Sequence, residues 1–156
     1  MSIAALFMML VIAQTSQGFS WVRGNRVCPR GWNLYGRHCY LFSKEKVNLK
    51  DAISKCADAV GSGRLAEVGG YREEKWLELQ IKLRGMHDGV WMGASDILKE
   101  NKFLKLSNAR KIKYTNWNKG EPNNASKKEH CVEWVGNGKW NDNSCGKKNF
   151  FVCEHV

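Results

Sequence analysis

No two cysteines in this chain are spaced C-x-x-C, and that absence argues against a zinc site. No stretch beyond residue 13 is apolar for the ~20 residues a membrane-spanning helix needs. Heptads of the coiled-coil kind, internal repeats and low-complexity segments are missing too. Charge is absent from the start of the chain, with no Lys, Arg, Asp or Glu before Arg23. Residues 2–13 form an apolar run broken only by small residues, which reads as a secretory signal peptide. Ser16 and Gly18 suit the positions a signal peptidase inspects, so cleavage is expected near Gly18, although the usual Lys or Arg at the start is lacking. A membrane anchor is the alternative, and the run is short for it. The expected organisation is a signal peptide at 1–18, a short N-terminal segment at 19–27 and one domain at 28–156. A chain of 156 residues has room for a single ordinary core.

Export to the extracellular space changes the meaning of the six cysteines, because oxidising compartments pair thiols. Cys28, Cys39, Cys56, Cys131, Cys145 and Cys153 all lie beyond the signal, and three bridges are expected, with 15 connectivities open from counting alone. The formal charge is +10, from 25 Lys and Arg against 15 Asp and Glu. Such a surface favours anionic partners such as sulfated or phosphorylated glycans, bacterial envelopes or a mineral matrix. Nucleic acid is a poor partner for an exported protein. Charge that simply keeps the surface solvated is the plain alternative.

Local patterns outline a mixed α+β domain. Residues 28–42 hold two aromatic-rich runs broken at Gly36, a hairpin whose ends Cys28 and Cys39 can tie. Leu49, Ala52, Ile53, Cys56, Ala57 and Val60 recur at helical steps, with Asn48 as N-cap and Gly61-Ser62-Gly63 as the stop. A second helix is expected over 73–83 with Trp76, Leu79 and Leu83 on one side, although Leu77, Leu79, Ile81 and Leu83 also alternate as a strand would. Residues 90–94 read as a buried strand. Residues 95–124 are long and irregular, which inside a compact domain points to function or disorder; Trp91, Trp117 and Trp134 nearby argue for order. Residues 132–135 and 139–142 flank Gly136-Asn137-Gly138 as a hairpin, and 150–154 closes the domain as a strand.

The chemistry concentrates in Glu121-Pro122-Asn123-Asn124-Ala125-Ser126-Lys127-Lys128-Glu129-His130-Cys131, followed by Trp140-Asn141-Asp142. Glu121, Glu129 and Asp142 offer carboxylates, and Asn123 and Asn141 offer amide oxygens. Hard oxygens without thiolate suit Ca²⁺, which takes six to eight of them, better than Mg²⁺ with its tighter octahedron. Coordination positions left over could accept two neighbouring sugar hydroxyls. A cis Glu121-Pro122 bond would turn both flanking side chains toward one ion; an ordinary loop proline is the alternative.

These segments resemble the Glu-Pro-Asn and Trp-Asn-Asp motifs of C-type lectins, and Cys28-Pro29-Arg30-Gly31-Trp32, Trp91-Met92-Gly93 and Phe151-Val152-Cys153-Glu154 match that family's pattern too. The likeness is strongest to small secreted perlucin-like invertebrate lectins. It implies a C-type lectin-like fold with two helices, antiparallel strands and a long calcium-binding loop. It also implies bridges Cys28–Cys39, Cys56–Cys153 and Cys131–Cys145. By the same resemblance, Glu121, Asn123, Glu129, Asn141 and Asp142 would hold Ca²⁺, and Glu121, Asn123, Glu129 and Asn141 would also contact the sugar. The Glu-Pro-Asn order resembles the class that takes mannose, fucose and N-acetylglucosamine. Carboxylates accept from sugar hydroxyls while amides donate to them, so exchanging the two across the proline would reverse the preference.

A second metal site implied by the resemblance would draw on Asp96, Glu100, Asn124 and Glu129, with His130 beside them. Neutral Asn124 and His130 stand where acids are usual, so this site is expected to be weak or empty. Protonation of His130 beside Glu129 would weaken calcium binding; a solvated histidine with no role is the favoured reading. Asn124-Ala125-Ser126 is an N-glycosylation sequon, and a glycan there would crowd the loop; an unused sequon is the favoured reading. Lys119, Lys127 and Lys128 would repel an ion modestly and could meet sulfate or phosphate on a glycan. Glu121 and Glu129 as paired glycosidase acids are the enzymatic alternative, and the chain is expected not to be an enzyme. The rival binding reading is a module for a protein, mineral or anionic surface without sugar recognition. Single sugar sites bind weakly, so a homo-oligomer would supply avidity, in innate defence or in matrix formation.

Overall fold

A computed structural model describes residues 27–156; the expected signal peptide and all but the last residue of the 19–27 segment lie outside the described residues. The chain opens with a hairpin, β1 (Asn33–Tyr35) and β2 (His38–Phe42), turned by Gly36 at φ 59°. Helix α1 (Leu49–Val60) follows. Its N-cap is Asn48, whose side chain accepts the Asp51 N–H at 2.9 Å, and Gly61 closes it in the left-handed conformation at φ 69°. Leu49, Ala52 and Cys56 are its buried stripe, while Ile53 and Ala57 face solvent.

A two-residue strand, β3 (Arg64–Leu65), leads to α2 (Tyr71–Leu83). The helix is where the sequence places it, but the side that carries Trp76, Leu79 and Leu83 is not the one that is buried. Glu74, Leu77 and Ile81 are buried, Trp76 packs partly against the core, and Leu79 and Leu83 are 52% and 71% exposed. Both candidate stripes follow the same three- and four-residue steps, and the one that wins begins with an acid.

Strand β4 (Val90–Ser95) is buried throughout, and β5 (Leu104–Lys105) pairs with it. Strands β6 (Cys131–Trp134) and β7 (Trp140–Asn143) form the hairpin around Gly136-Asn137-Gly138, and β8 (Phe150–His155) closes the chain. The sheet runs β1-β2-β8-β4-β6-β7, with β3 added to β8 and β5 to β4. Pairings are antiparallel except that β4 and β8 run parallel, Val90 beside Phe150 and Trp91 beside Phe151. Gly93 on β4 is needed for close approach, since a Cβ there would sit 2.7 Å from the Leu65 carbonyl oxygen.

Two apolar clusters flank the sheet. Leu77, Ile81, Met92, Val132, Trp134, Trp140 and Val152 join α2 to one of them, and Leu49, Cys56, Leu65, Trp91, Phe151 and Cys153 join α1 to the other. Disulfides connect Cys28–Cys39, Cys56–Cys153 and Cys131–Cys145. The 95–124 stretch is ordered despite its sparse pattern. Its Asn118 N–H donates to Trp140 O at 2.8 Å, Trp140 N–H donates to Asn116 O at 2.9 Å, and Trp117 packs on Phe103 and Trp140. Among the described residues no helix is long and apolar enough to cross a membrane.

Candidate functional site

The β6–β7 hairpin carries one half of the site. Pairing sets Glu133 opposite Asn141 and Val132 opposite Asp142, so Asn141 and Asn143 share a face with Glu133. Glu133 is only 1% exposed and accepts from four neighbours: Asn141 Nδ2 at 3.1 Å, Asn143 Nδ2 at 2.8 Å, Lys147 Nζ at 3.0 Å and Asn149 Nδ2. A buried carboxylate is tolerable because these donors replace the lost water. Gly89, at φ 104°, leaves room for this cluster, since a Cβ there would lie 2.7 Å from Glu133 Oε2.

Residues 121–130 supply the other half, and Asp142 joins the halves. Its carboxylate accepts the backbone N–H groups of Asn123 at 3.0 Å and Asn124 at 2.8 Å, drawing the loop onto β7. The Glu121-Pro122 bond is cis. Ala125 N–H donates to Glu129 Oε2 at 2.9 Å, and Glu129 N–H to Asn124 Oδ1 at 3.0 Å, which closes the short 3-10 turn at Ala125–Lys127 on itself. The Asn123 side chain is exposed and makes no hydrogen bond among the described residues.

Glu121 thereby lies against Asp142, and Glu129 stands near enough for its charge to be felt, although among the described residues only Asp96, Glu100 and His130 bring three ligand atoms within 4.8 Å of one another. Burial holds the Glu121 carboxyl above its ordinary value; the Asp142 carboxylate beside it and then the Glu129 charge push the same way, against the Asn123 backbone N–H. One oxygen of Glu121, Oε2, is buried without a partner. Crowded acids with an unmatched buried oxygen are a poor arrangement alone and a good one around a cation. The donor set fits Ca²⁺, being carboxylate and amide oxygen throughout.

A second cluster lies next to the first. Asp96, 1% exposed, accepts from Asn101 N–H at 2.8 Å through Oδ2 and meets His130 Nδ1 at 3.0 Å through Oδ1. His130 also stands 3.7 Å from Glu100, and one ligand atom from each of Asp96, Glu100 and His130 falls within 4.8 Å of the others. The His130 ring thus faces Asp96 and Glu100 rather than Glu129. Asn124 is committed on both sides, its Nδ2 donating to Glu100 and its Oδ1 accepting from Glu129. Lys119, Lys127 and Lys128 are exposed and form no ion pair among the described residues.

Two acids that sequence reasoning passed over organise this region. Glu133 left a signal, an acid in the middle of the buried run Val132-Glu133-Trp134. Glu74 of α2 left almost none, yet it is fully buried and accepts from Tyr114 OH, Asn116 Nδ2 and Trp140 Nε1. It ties the helix to the long loop and to the first residue of the Trp-Asn-Asp motif.

Comparison with known proteins matches residues 45–155 to the family described as "Lectin C-type domain". Perlucin of Haliotis laevigata is 35% identical over 130 residues, covering 81% of this chain and 82% of that one. The galactose-specific lectin nattectin of Thalassophryne nattereri is 32% identical, covering 84% and 82%. Among solved structures, the cow carbohydrate-recognition domain of CD23, determined in the presence of a GlcNAc2Man3 oligosaccharide, superimposes with a TM-score of 0.74 at 31% identity, covering 83% of this chain and 96% of that one.

Proposed function

Because this chain belongs to the C-type lectin domain family, whose members are binding modules rather than enzymes, we propose that it binds glycans through Ca²⁺. The ion would be held by Glu121, Asn123, Glu129, Asn141 and Asp142. Bound there, Ca²⁺ would offer remaining coordination positions to two hydroxyls of one sugar. Around it, Glu121 and Glu129 accept hydrogen bonds from those hydroxyls while Asn123 and Asn141 donate to them. Glu133 holds Asn141 from behind through its amide, which leaves the Asn141 oxygen free to face outward. The preferred sugars are mannose, fucose and N-acetylglucosamine, from the Glu-Pro-Asn order.

The observation that carries the reading is the buried, unpartnered Glu121 oxygen beside the Asp142 and Glu129 carboxylates. The second cluster, Asp96, Glu100, Asn124 and Glu129 with His130, takes calcium weakly, since Asn124 is already hydrogen-bonded on both sides. The same commitment of Asn124 Nδ2 favours an unglycosylated sequon. The protein acts outside the cell, in keeping with its three disulfides, and several copies together supply avidity.

Chromatography on immobilised mannose with calcium tests the reading. Elution by chelator and by free mannose, but not by galactose, is the expected result. Elution by galactose instead would place the chain with galactose-specific relatives such as nattectin. Retention released only by salt would favour the rival, a module for an anionic or mineral surface. A calorimeter registering no heat when calcium meets the oxidised protein would remove the proposal altogether.

A further inference from the structure

Away from the acidic loop the surface folds into a cavity of ≈ 280 Å³, close to the lower end of small-ligand pockets. Lys105, Arg110, Lys111 and Lys113 line it together with Asn108 and Tyr114, and no acid does. Lys105 is partly engaged, 3.5 Å from Glu67, but Glu67 is already satisfied by Ser107 through both N–H and Oγ at 2.9 Å. Arg110, Lys111 and Lys113 are exposed and form no ion pair among the described residues. Four like charges around one concavity repel each other, and an anion with several acceptor oxygens would turn that repulsion into attraction.

The cavity is built before any ligand arrives. Lys105 N–H donates to Arg110 O at 2.8 Å and Ala109 N–H to Lys105 O at 2.9 Å, closing a tight turn with Ala109 at φ 53°. Left-handed backbone is uncommon for alanine, so the surrounding hydrogen bonds fix the turn that presents Arg110 and Lys111. Tyr114 is also part of the lining, its hydroxyl anchored on buried Glu74 and its ring braced edge-on against Trp140, 5.8 Å between centroids. A fixed aromatic ring beside flexible cations suits a pyranose carrying a charged substituent.

We propose that this cavity is an anion subsite for sulfate esters on a glycan chain. Arginine meets such an oxygen cluster through two parallel N–H donors, and the lysines add point charges. An isolated pocket with one aromatic wall fits a substituted sugar better than a nucleic acid, which needs an extended basic groove and a row of stacking platforms. The proposal extends the glycan reading above, yet it needs no calcium, so the two can fail separately.

Calorimetry with heparin and with fully desulfated heparin, both in chelator, makes the test. Heparin is expected to bind, with affinity that fades as salt rises, and the desulfated polymer at least about tenfold more weakly. The double variant Arg110→Glu/Lys111→Glu should lose about tenfold or more in heparin affinity while keeping its calcium heat. Lys44→Glu/Lys50→Glu, an equal charge change at exposed positions outside the cavity, should leave heparin binding unchanged. Equal losses in the two variants would reduce the effect to net charge and overturn the subsite. So would undiminished binding of desulfated heparin, or tighter binding of single-stranded DNA or phosphatidylserine vesicles than of heparin.

Discussion

At the scale of single residues, Asn141 and Glu133 separate the proposed ligand from its support. Asn141 is half-buried, and its one side-chain hydrogen bond among the described residues goes to a carboxylate that keeps three other donors. Asn141→Ala should therefore abolish calcium and mannose binding while lowering stability by no more than about 1 kcal/mol. Glu133→Gln removes the acceptor on which three asparagines and Lys147 converge, and brings in an amide N–H₂ that faces other donors. That change should weaken calcium binding about 10- to 100-fold and also lower stability by about 1–3 kcal/mol. Urea melts beside calcium titrations of both variants check the contrast. A Glu133→Gln protein with wild-type calcium affinity would show that Asn141 needs no support from behind.

At the scale of elements, α2 is fastened by its first turn. Tyr40 on β2 donates to Glu73, and Tyr114 in the long loop donates to Glu74. Burial first, then these hydrogen bonds, then the nearby carboxylate charges push both tyrosine hydroxyls above their ordinary value, with Arg64 opposing at Tyr40. A pKa raised in the folded state stabilises the fold fully below the unfolded value of about 10, and that stability drains away as pH climbs past it. The urea midpoint should be level from pH 8 until about 10 and then fall, and Tyr40→Phe/Tyr114→Phe should make the fall shallower. An identical slope in the double variant would detach the tyrosines from alkaline unfolding. The same turn shows why α2 was only half legible. Its inner stripe of Glu74, Leu77 and Ile81 opens with an acid, so apolar periodicity selects Trp76, Leu79 and Leu83 instead, two of which face water. The partners that make a buried Glu74 tolerable lie 40 to 66 residues away, where no local pattern reaches. Helix α1 was legible because its stripe is apolar and its ends are marked by Asn48 and Gly61. The meeting of the 121–124 segment with Asp142 was legible because Glu121-Pro122-Asn123 and Trp140-Asn141-Asp142 are short contiguous motifs, whereas Glu133 enters only through pairing across the β6–β7 hairpin.

At the scale of the whole molecule, the disulfides divide the work of holding the scaffold from that of shaping the site. Cys56–Cys153 joins α1 to β8 across 97 residues, and both sulfurs are buried in the cluster around Trp91. Cys131–Cys145 spans only 14 residues, but those residues include β6 and β7 and therefore Glu133, Asn141 and Asp142. Loop-closure entropy assigns about 4.7 kcal/mol to a bridge closing roughly 100 residues and about 3 kcal/mol to one closing roughly 15. Removing the first as Cys56→Ser/Cys153→Ser should therefore cost more stability, yet leave calcium affinity near wild type at temperatures where the protein remains folded. Removing the second as Cys131→Ser/Cys145→Ser should cost less stability and more affinity, because the hairpin that aims Asn141 and Asp142 at the loop loses its clamp. Urea denaturation ranks the stabilities, and calorimetry at 10 °C ranks the affinities. If both rankings ran in the same order, the ion site would be coupled to global stability and not to the β6–β7 hairpin, and the division of labour between the two bridges would not hold.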